Sequence, residues 1–358
     1  MQSRPARWIA VGAASALVVC IWSAVRVAAQ ASRQAEAGPK PQAVALTLDE
    51  FLRTVLSNHP DLEAASSAAS RGTSTRPARQ ALLAVGYSGT GAGAADPALR
   101  ELVNRVLFEA IRAYWGQVRA IEEVEIRQRA LSAAEETAGR IRGQAAPETA
   151  DLLHATAETF LAETRIALHQ AQQQAAAGED RLKLLMNDEM LSIVSETNLV
   201  LLTEAQEPPP MGDLDVEEGI DTAVFNGLAS QEDRRDKAAR KRYETLALEL
   251  KAIRRQALGA RRMFSLARSR QTAAQKALAA ADEMRRDRET SAGAVLLARI
   301  RAEGALSDAE RQLIAACVDY EIALAAWDRA TGELHERWNI RLEGEDLVGP
   351  AGRQTVRR

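Results

Sequence analysis

The stretch from Ala302 to Leu334 carries two interleaved seven-residue repeats, and nothing else in the chain restricts the fold as tightly. Leu306, Leu313, Tyr320, Trp327 and Leu334 recur every seven residues, and Ala302, Ala309, Ala316, Ala323 and Ala330 stand four residues before each. A 4-and-3 spacing puts both sets on one stripe of an α-helix, and alanine at every second stripe position lets a partner backbone come close. The pattern predicts one arm of a long, tightly packed coiled coil, with the five large residues as its helix-packing seam.

The totals agree with thin packing. Aromatic residues make up 4% of the 358 positions and charged ones 27%, which suits a bundle of long helices better than thick-cored globules. The formal charge of −3 leaves no basic excess to attract nucleic acid.

Residues 1–31 have the three parts of a secretory signal peptide: Arg4 and Arg7, an apolar run from Trp8 to Val25, and Ala29-Gln30-Ala31 ahead of Ser32. Cleavage near Ala31 is the expectation. The alternative is a retained anchor, because the run reaches the lower end of membrane-spanning length. Cys20 follows Leu17-Val18-Val19, where a lipoprotein signal would place a small residue just before the cysteine. After cleavage Cys317 is the one cysteine left, so no intramolecular disulfide can form.

Beyond a polar linker, 32–45, Thr47 and Glu50 form a capping box for a helix that begins at Leu48 and stops before Pro60. Asp61 to Ala69 can start a second helix. From 71 to 97 glycines break the pattern, and Leu83, Val85 and Tyr87 make at most one short extended piece. A helix over about 98–142 follows, with Val103, Leu107, Ala110, Tyr114, Gln117, Ile121, Val124, Gln128, Leu131, Glu135 and Ala138 on its stripe; Gly143 and Pro147 should end it. The returning helix, Ala150 to Met186, carries Leu153, Ala157, Phe160, Ala167, Ala171, Gly178 and Leu185. Two long helices joined by a few residues are antiparallel neighbours. Leu191 to Leu202 leans towards strand, and Pro208-Pro209-Pro210 closes the half.

The second half repeats the first. Asp49-Glu50 and Thr54-Val55-Leu56-Ser57-Asn58 return 168 positions later as Glu217-Glu218 and Thr222-Ala223-Val224-Phe225-Asn226, and Leu152-Leu153 returns as Leu296-Leu297, 144 positions on. The second half lacks the glycine-rich insert, so one long helix is expected from about Ser230 to Arg288, its stripe running from Leu246 to Ala281. A turn through Ser291, Ala292 and Gly293 leads to the return arm. The reading is a first repeat over 46–207, with a hairpin over 98–187, and a second over 208–340, with a hairpin over 230–336. A flexible tail, 341–358, ends the chain.

The leader, the Leu46-Thr47-Leu48-Asp49-Glu50 start running to Asn58-His59-Pro60-Asp61-Leu62, Ala113-Tyr114-Trp115, the turn-following Asp151-Leu152-Leu153 and Val295-Leu296-Leu297, and the duplication together resemble the TolC-type outer-membrane efflux channels. The resemblance implies a homotrimeric helical tunnel that docks a periplasmic adaptor (membrane fusion) protein and an inner-membrane pump, serves efflux or type I secretion, and lies in the outer membrane or periplasm of a double-membraned bacterium. It also implies that Gly143 and Asp151 in the first hairpin, and Ser291 and Gly293 in the second, sit at the tunnel tip and contact the adaptor. Ala294 stands where the second hairpin would carry its Asp.

Family members give four membrane strands per chain, and a spanning strand needs about 9 to 11 alternating residues. The first half has room for one strand hairpin and the second for none, so the expected fold class is all-α, tandem antiparallel hairpins in a TolC-like coiled-coil bundle with little or no β-barrel. The rival reading is a periplasmic structural or scaffolding coiled coil that has lost the pore. No nucleophile constellation, phosphate loop, cofactor signature or metal-ligand spacing stands out. Asp151, His154 and Glu158 share a helical face, as do Glu333, His335 and Glu336, and both groups read as solvated faces rather than metal sites.

Overall fold

The structure is a computed structural model that describes residues 43–62, 64, 97–144, 150–194, 197–208, 214–226, 237–285, 291–338 and 340. The expected leader, the glycine-rich connection with its extended piece and the tail lie outside the described residues, as does most of the second short helix. The chain divides into two units. Of the smaller, the described part is Ala43 and Val44 with residues 197–200; the larger contains every other described residue.

Strand β1 (Ala43–Leu46) pairs with β2 (Asn198–Leu201) as a two-stranded sheet. β1 was hidden within the linker because four residues of half-exposed alternation carry almost no signal. Helix α1 (Leu48–Asn58) starts at the expected capping box: the Glu50 amide donates to the Thr47 hydroxyl at 3.3 Å, and the Thr47 amide to the Glu50 carboxylate at 2.9 Å. Its Leu48, Phe51, Leu52, Val55 and Leu56 are all buried.

The first hairpin pairs α2 (Pro97–Gln144) with α3 (Ala150–Met186). The second follows a short helix, α4 (Val216–Phe225), and pairs α5 (Lys237–Met284) with α6 (Ala292–Thr331); a last turn, α7 (Leu334–Arg337), packs on α2 and α6. At 48 residues, α2 and α5 each run about 72 Å. The hairpins join through α2 and α6, so the four long helices lie in the order α3, α2, α6, α5. This is the tandem antiparallel coiled-coil fold expected from the sequence.

Some boundaries differ. α2 continues through Gly143 to Gln144, since one glycine costs a helix only about 1 kcal/mol. The expected start of α5 near Ser230 lies outside the described residues, and its described part begins at Lys237. α6 stops at Thr331, where Gly332 takes a left-handed conformation (φ 81°) whose amide bonds back to the Asp328 and Arg329 carbonyls, so the last seam residue, Leu334, belongs to α7.

Burial separates the two repeats of the seam. All five alanines from Ala302 to Ala330 are buried, as are Tyr320, Trp327 and Leu334, but Leu306 and Leu313 are only half-buried. Along α5 the stripe holds as read: Leu250, Ile253, Ala257, Ala260, Phe264, Ala267, Ala274 and Ala281 are buried, with Leu246, Gln271 and Leu278 partly covered. α2 departs from its stripe beyond Gln117. Lying between α3 and α6, it must bury two faces; Ala138 is buried as its stripe predicts, but Ala134 and Thr137 are buried off it, and Glu135 is exposed, paired with Arg165 of α3 at 3.2 Å.

The duplication is structural as well. Asn58 ends α1 and donates to the carbonyl of Met186, the last residue of α3, at 3.0 Å. Asn226, its repeat counterpart, ends α4 and donates to the carbonyl of Thr331, the last residue of α6, at 2.8 Å. Thr54 and Thr222 each bond back to the carbonyl four residues earlier, Glu50 and Glu218. Each repeat thus uses one asparagine to tie its short helix to an otherwise orphaned carbonyl at the end of its hairpin.

Candidate functional site: the hairpin tips and the polar clamp

At the tips, Ser291 caps α6, its hydroxyl accepting from the Ala294 amide at 3.3 Å. Asp151 is exposed in the first turn of α3, where its charge suits the helix dipole. Gly293 is half-buried, and a Cβ built on it would lie 3.3 Å from Leu153 of α3. The starts of α3 and α6 are therefore neighbours, which brings Ser291, Gly293 and Asp151 to one end of the bundle. Gly143 lies in the last turn of α2.

The repeated leucine pair is not used equivalently. Leu153 and Leu296 are buried, whereas Leu152 is 74% exposed and Leu297 46%. The offset of 144 would match Leu152 with Leu296, but α6 packs between two helices and α3 mainly against one, so the inward faces are turned differently.

Behind the tips lies a polar cluster that spacing alone did not single out. Arg299 of α6 donates through Nη1 to Asp282 of α5 at 2.8 Å and through Nε to Glu303 at 2.7 Å, and its Nη2 pairs with Glu136 of α2 at 3.7 Å. Thr137 of α2 donates to the same Glu303 at 3.3 Å. One guanidinium thus clamps three helices from both hairpins. Burial pushes the Glu303 carboxyl above the ordinary glutamate value, against the opposing pull of its bond to Arg299. The available signal was Arg299 and Glu303 at i,i+4 with Glu303 next to a seam alanine, a spacing shared by many surface pairs.

Further along the junction of the hairpins, Arg311 pairs with Glu123 at 2.8 Å and Arg129 with Glu310 at 2.9 Å. These ion pairs cross between the hairpins, whereas alanine clusters lie within each of them. Cys317 is buried beside Phe264 and Ala316, and burial raises its thiol to about 12, which keeps it protonated and inert.

At the opposite end, Tyr114 is fully buried: its hydroxyl donates to the Leu46 carbonyl at 3.1 Å and accepts from the Thr203 amide at 3.3 Å. His335, read as part of a solvated face, is 9% exposed, and burial lowers its pKa. Among the described residues no group of His, Cys, Asp and Glu is placed to hold a metal ion, and no described helix is long and apolar enough to cross a membrane.

No protein-family model and no curated protein matches the sequence. Solved structures do. A membrane protein from Pseudomonas aeruginosa superposes with a TM-score of 0.54 at 12% identity, over 79% of this chain and 93% of that one. The Neisseria gonorrhoeae MtrE outer membrane channel, in its open state, gives 0.50 at 11% identity, over 84% and 91%. At these identities the likeness is one of fold: a TolC-like bundle of paired hairpins.

Proposed function

We propose that three copies of this chain close into a TolC-like helical tunnel through which solutes pass in efflux or secretion, with no chemical step. The observation that carries this reading is the spacing of exposed apolar residues along the two edge helices. α3 and α5 each bury one narrow stripe and leave large apolar residues exposed: Leu152, Ile166 and Leu184 on α3, Met284, Leu266 and Leu248 on α5. Counted from the tip end of each helix at 1.5 Å per residue, these lie about 3, 24 and 51 Å along α3 and about 0, 27 and 54 Å along α5. The α3 edge of one copy therefore offers apolar groups at the heights where the α5 edge of the next copy offers its own. Such head-to-tail contact between unlike edges closes a ring when the rotation per subunit allows.

The likeness to MtrE, an outer membrane channel, supports the same reading and an outer-membrane or periplasmic location. Gly143, Asp151, Ser291 and Gly293 are then the tip that meets an adaptor protein serving an inner-membrane pump. The test is the mass of the purified mature protein with and without Ile166→Glu or Leu266→Glu, alongside conductance across a planar bilayer. A trimer that each substitution breaks into monomers, with conductance in the wild type, is the expected result. A wild-type monomer refutes the tunnel. A trimer that neither partitions into membranes nor conducts favours the scaffolding alternative.

A further inference from the structure

A cavity of about 360 Å³ opens at the end of the bundle away from the tips, between α2, α6 and α7. That is the lower end of the size range of small-molecule sites. Ile111 and Trp115 of α2 form one wall, Glu321 and Asp328 of α6 another, and Arg337 and Trp338 the third. Asp328 is engaged by Arg337, so that pair is neutral as a unit. Glu321 feels the Arg337 charge but forms no hydrogen bond or ion pair among the described residues. The indole Nε1 of Trp338 is likewise buried without an acceptor.

A half-buried carboxylate whose neighbouring cation, Arg337, is already engaged by Asp328, beside two indoles, is a poor arrangement for stability and a good one for recognition. Indole faces attract cations, and a desolvated carboxylate gains most from a cation brought to it. The remaining acids on the lining are Asp49, which is already paired with Arg53 at 2.9 Å, and Glu204. An anion would meet the Glu321 charge, and Arg337 on the same lining is already engaged by Asp328.

We propose that this cavity binds a small organic monocation, its ammonium group against Glu321, its apolar body on the Trp115 and Trp338 walls, and an acceptor atom taking the Trp338 Nε1 proton. The site stands apart from the tunnel reading, since it is built within one copy of the chain.

Acetylcholine and its uncharged isostere 3,3-dimethylbutyl acetate form a matched probe pair, differing in charge and sharing shape and carbonyl. Titrated calorimetrically and by tryptophan fluorescence into the full-length purified protein, acetylcholine should bind saturably, and the isostere about tenfold more weakly. Glu321→Gln should bring acetylcholine down to the level of the isostere, and Trp338→Leu should weaken both, with far-UV circular dichroism confirming that each variant is folded. Equal binding of the two probes, unchanged acetylcholine binding in Glu321→Gln, or no saturable acetylcholine binding up to about 20 mM overturns the proposal.

Discussion

Replacing Gly219 by alanine tests the packing of the second repeat at its tightest point. Gly219 faces the indole of Trp327, which is buried among Val216, Ile220, Leu250 and Ile253. A Cβ at this position would lie 2.7 Å from Trp327 Cζ2, 3.1 Å from Cη2 and 3.3 Å from Leu250 Cδ1. Carbon atoms settle at about 3.5 to 4.0 Å, so the ring would have to retreat by roughly 1 Å. Leu250 has no exposed surface and blocks that retreat. Overpacking of this kind costs about 1 to 3 kcal/mol, and the better helix propensity of alanine returns about 1. The net expectation is a loss of up to about 2 kcal/mol, seen as a lower melting temperature by circular dichroism. Gly259, in the middle of α5, is the control, because nothing lies within 4 Å of its would-be Cβ. Gly259→Ala should therefore stabilise by up to about 1 kcal/mol. If Gly219→Ala melts at or above the wild type, or Gly259→Ala below it, the packing argument is wrong.

Asn58→Ala and Asn226→Ala should each cost about 1 kcal/mol in urea unfolding, each leaving one hairpin-end carbonyl bare, and the double variant should cost close to their sum because the sites belong to different repeats; a loss at one site only would mean that the repeats are not equivalent. Arg299→Ala strands Glu303 as an uncompensated buried charge and should cost about 3 to 5 kcal/mol, part of which Glu303→Gln in the same background restores; a loss below about 1 kcal/mol, or no rescue, removes the clamp. The Glu321 carboxyl is raised above its ordinary 4.5 by burial, so between that value and its folded pKa the folded state holds more protons than the unfolded one and stability falls as pH rises. Glu321→Gln removes that penalty: its melting temperature should exceed the wild type at pH 7.5, with the gap closing towards pH 4.5, and a gap that is constant or widens on acidification contradicts the assignment.

The heptads from Ala302 to Ala330 and along α5 were legible because they set helix length, partner face and spacing together, and the structure buries most of them. Asn58 and Asn226 were visible as repeated letters, but what they bond to depends on where α3 and α6 end, which is a tertiary fact. α2 was harder to read. A helix held between two neighbours buries two faces, so one stripe cannot describe it, and Glu135 was assigned inward when Ala134 and Thr137 are the buried residues. The Arg299 clamp was out of reach for a different reason. Its partners Glu136, Asp282 and Glu303 come from three helices, and only their side-by-side order brings them within one guanidinium's reach. The acids flanking His335 in the sequence imply solvent, whereas α7 folds back on α2 and α6 and covers the ring.

The seam also shows how one repeat serves two ends of the molecule differently. Its alanines are buried from tip to base. Leu306 and Leu313, nearer the tips, are half-covered, and Tyr320, Trp327 and Leu334 are buried, because α1, α4 and α7 add a second layer only at the base. Apolar burial therefore concentrates where the short helices are tied down by Asn58 and Asn226. Towards the tips, cohesion between the hairpins falls to Arg299 and the charged pairs of α2 with α6. Apolar packing is non-directional and insensitive to salt, whereas ion pairs at partly exposed junctions weaken as salt rises. A bundle built this way should lose cohesion first at its tip ends as salt rises.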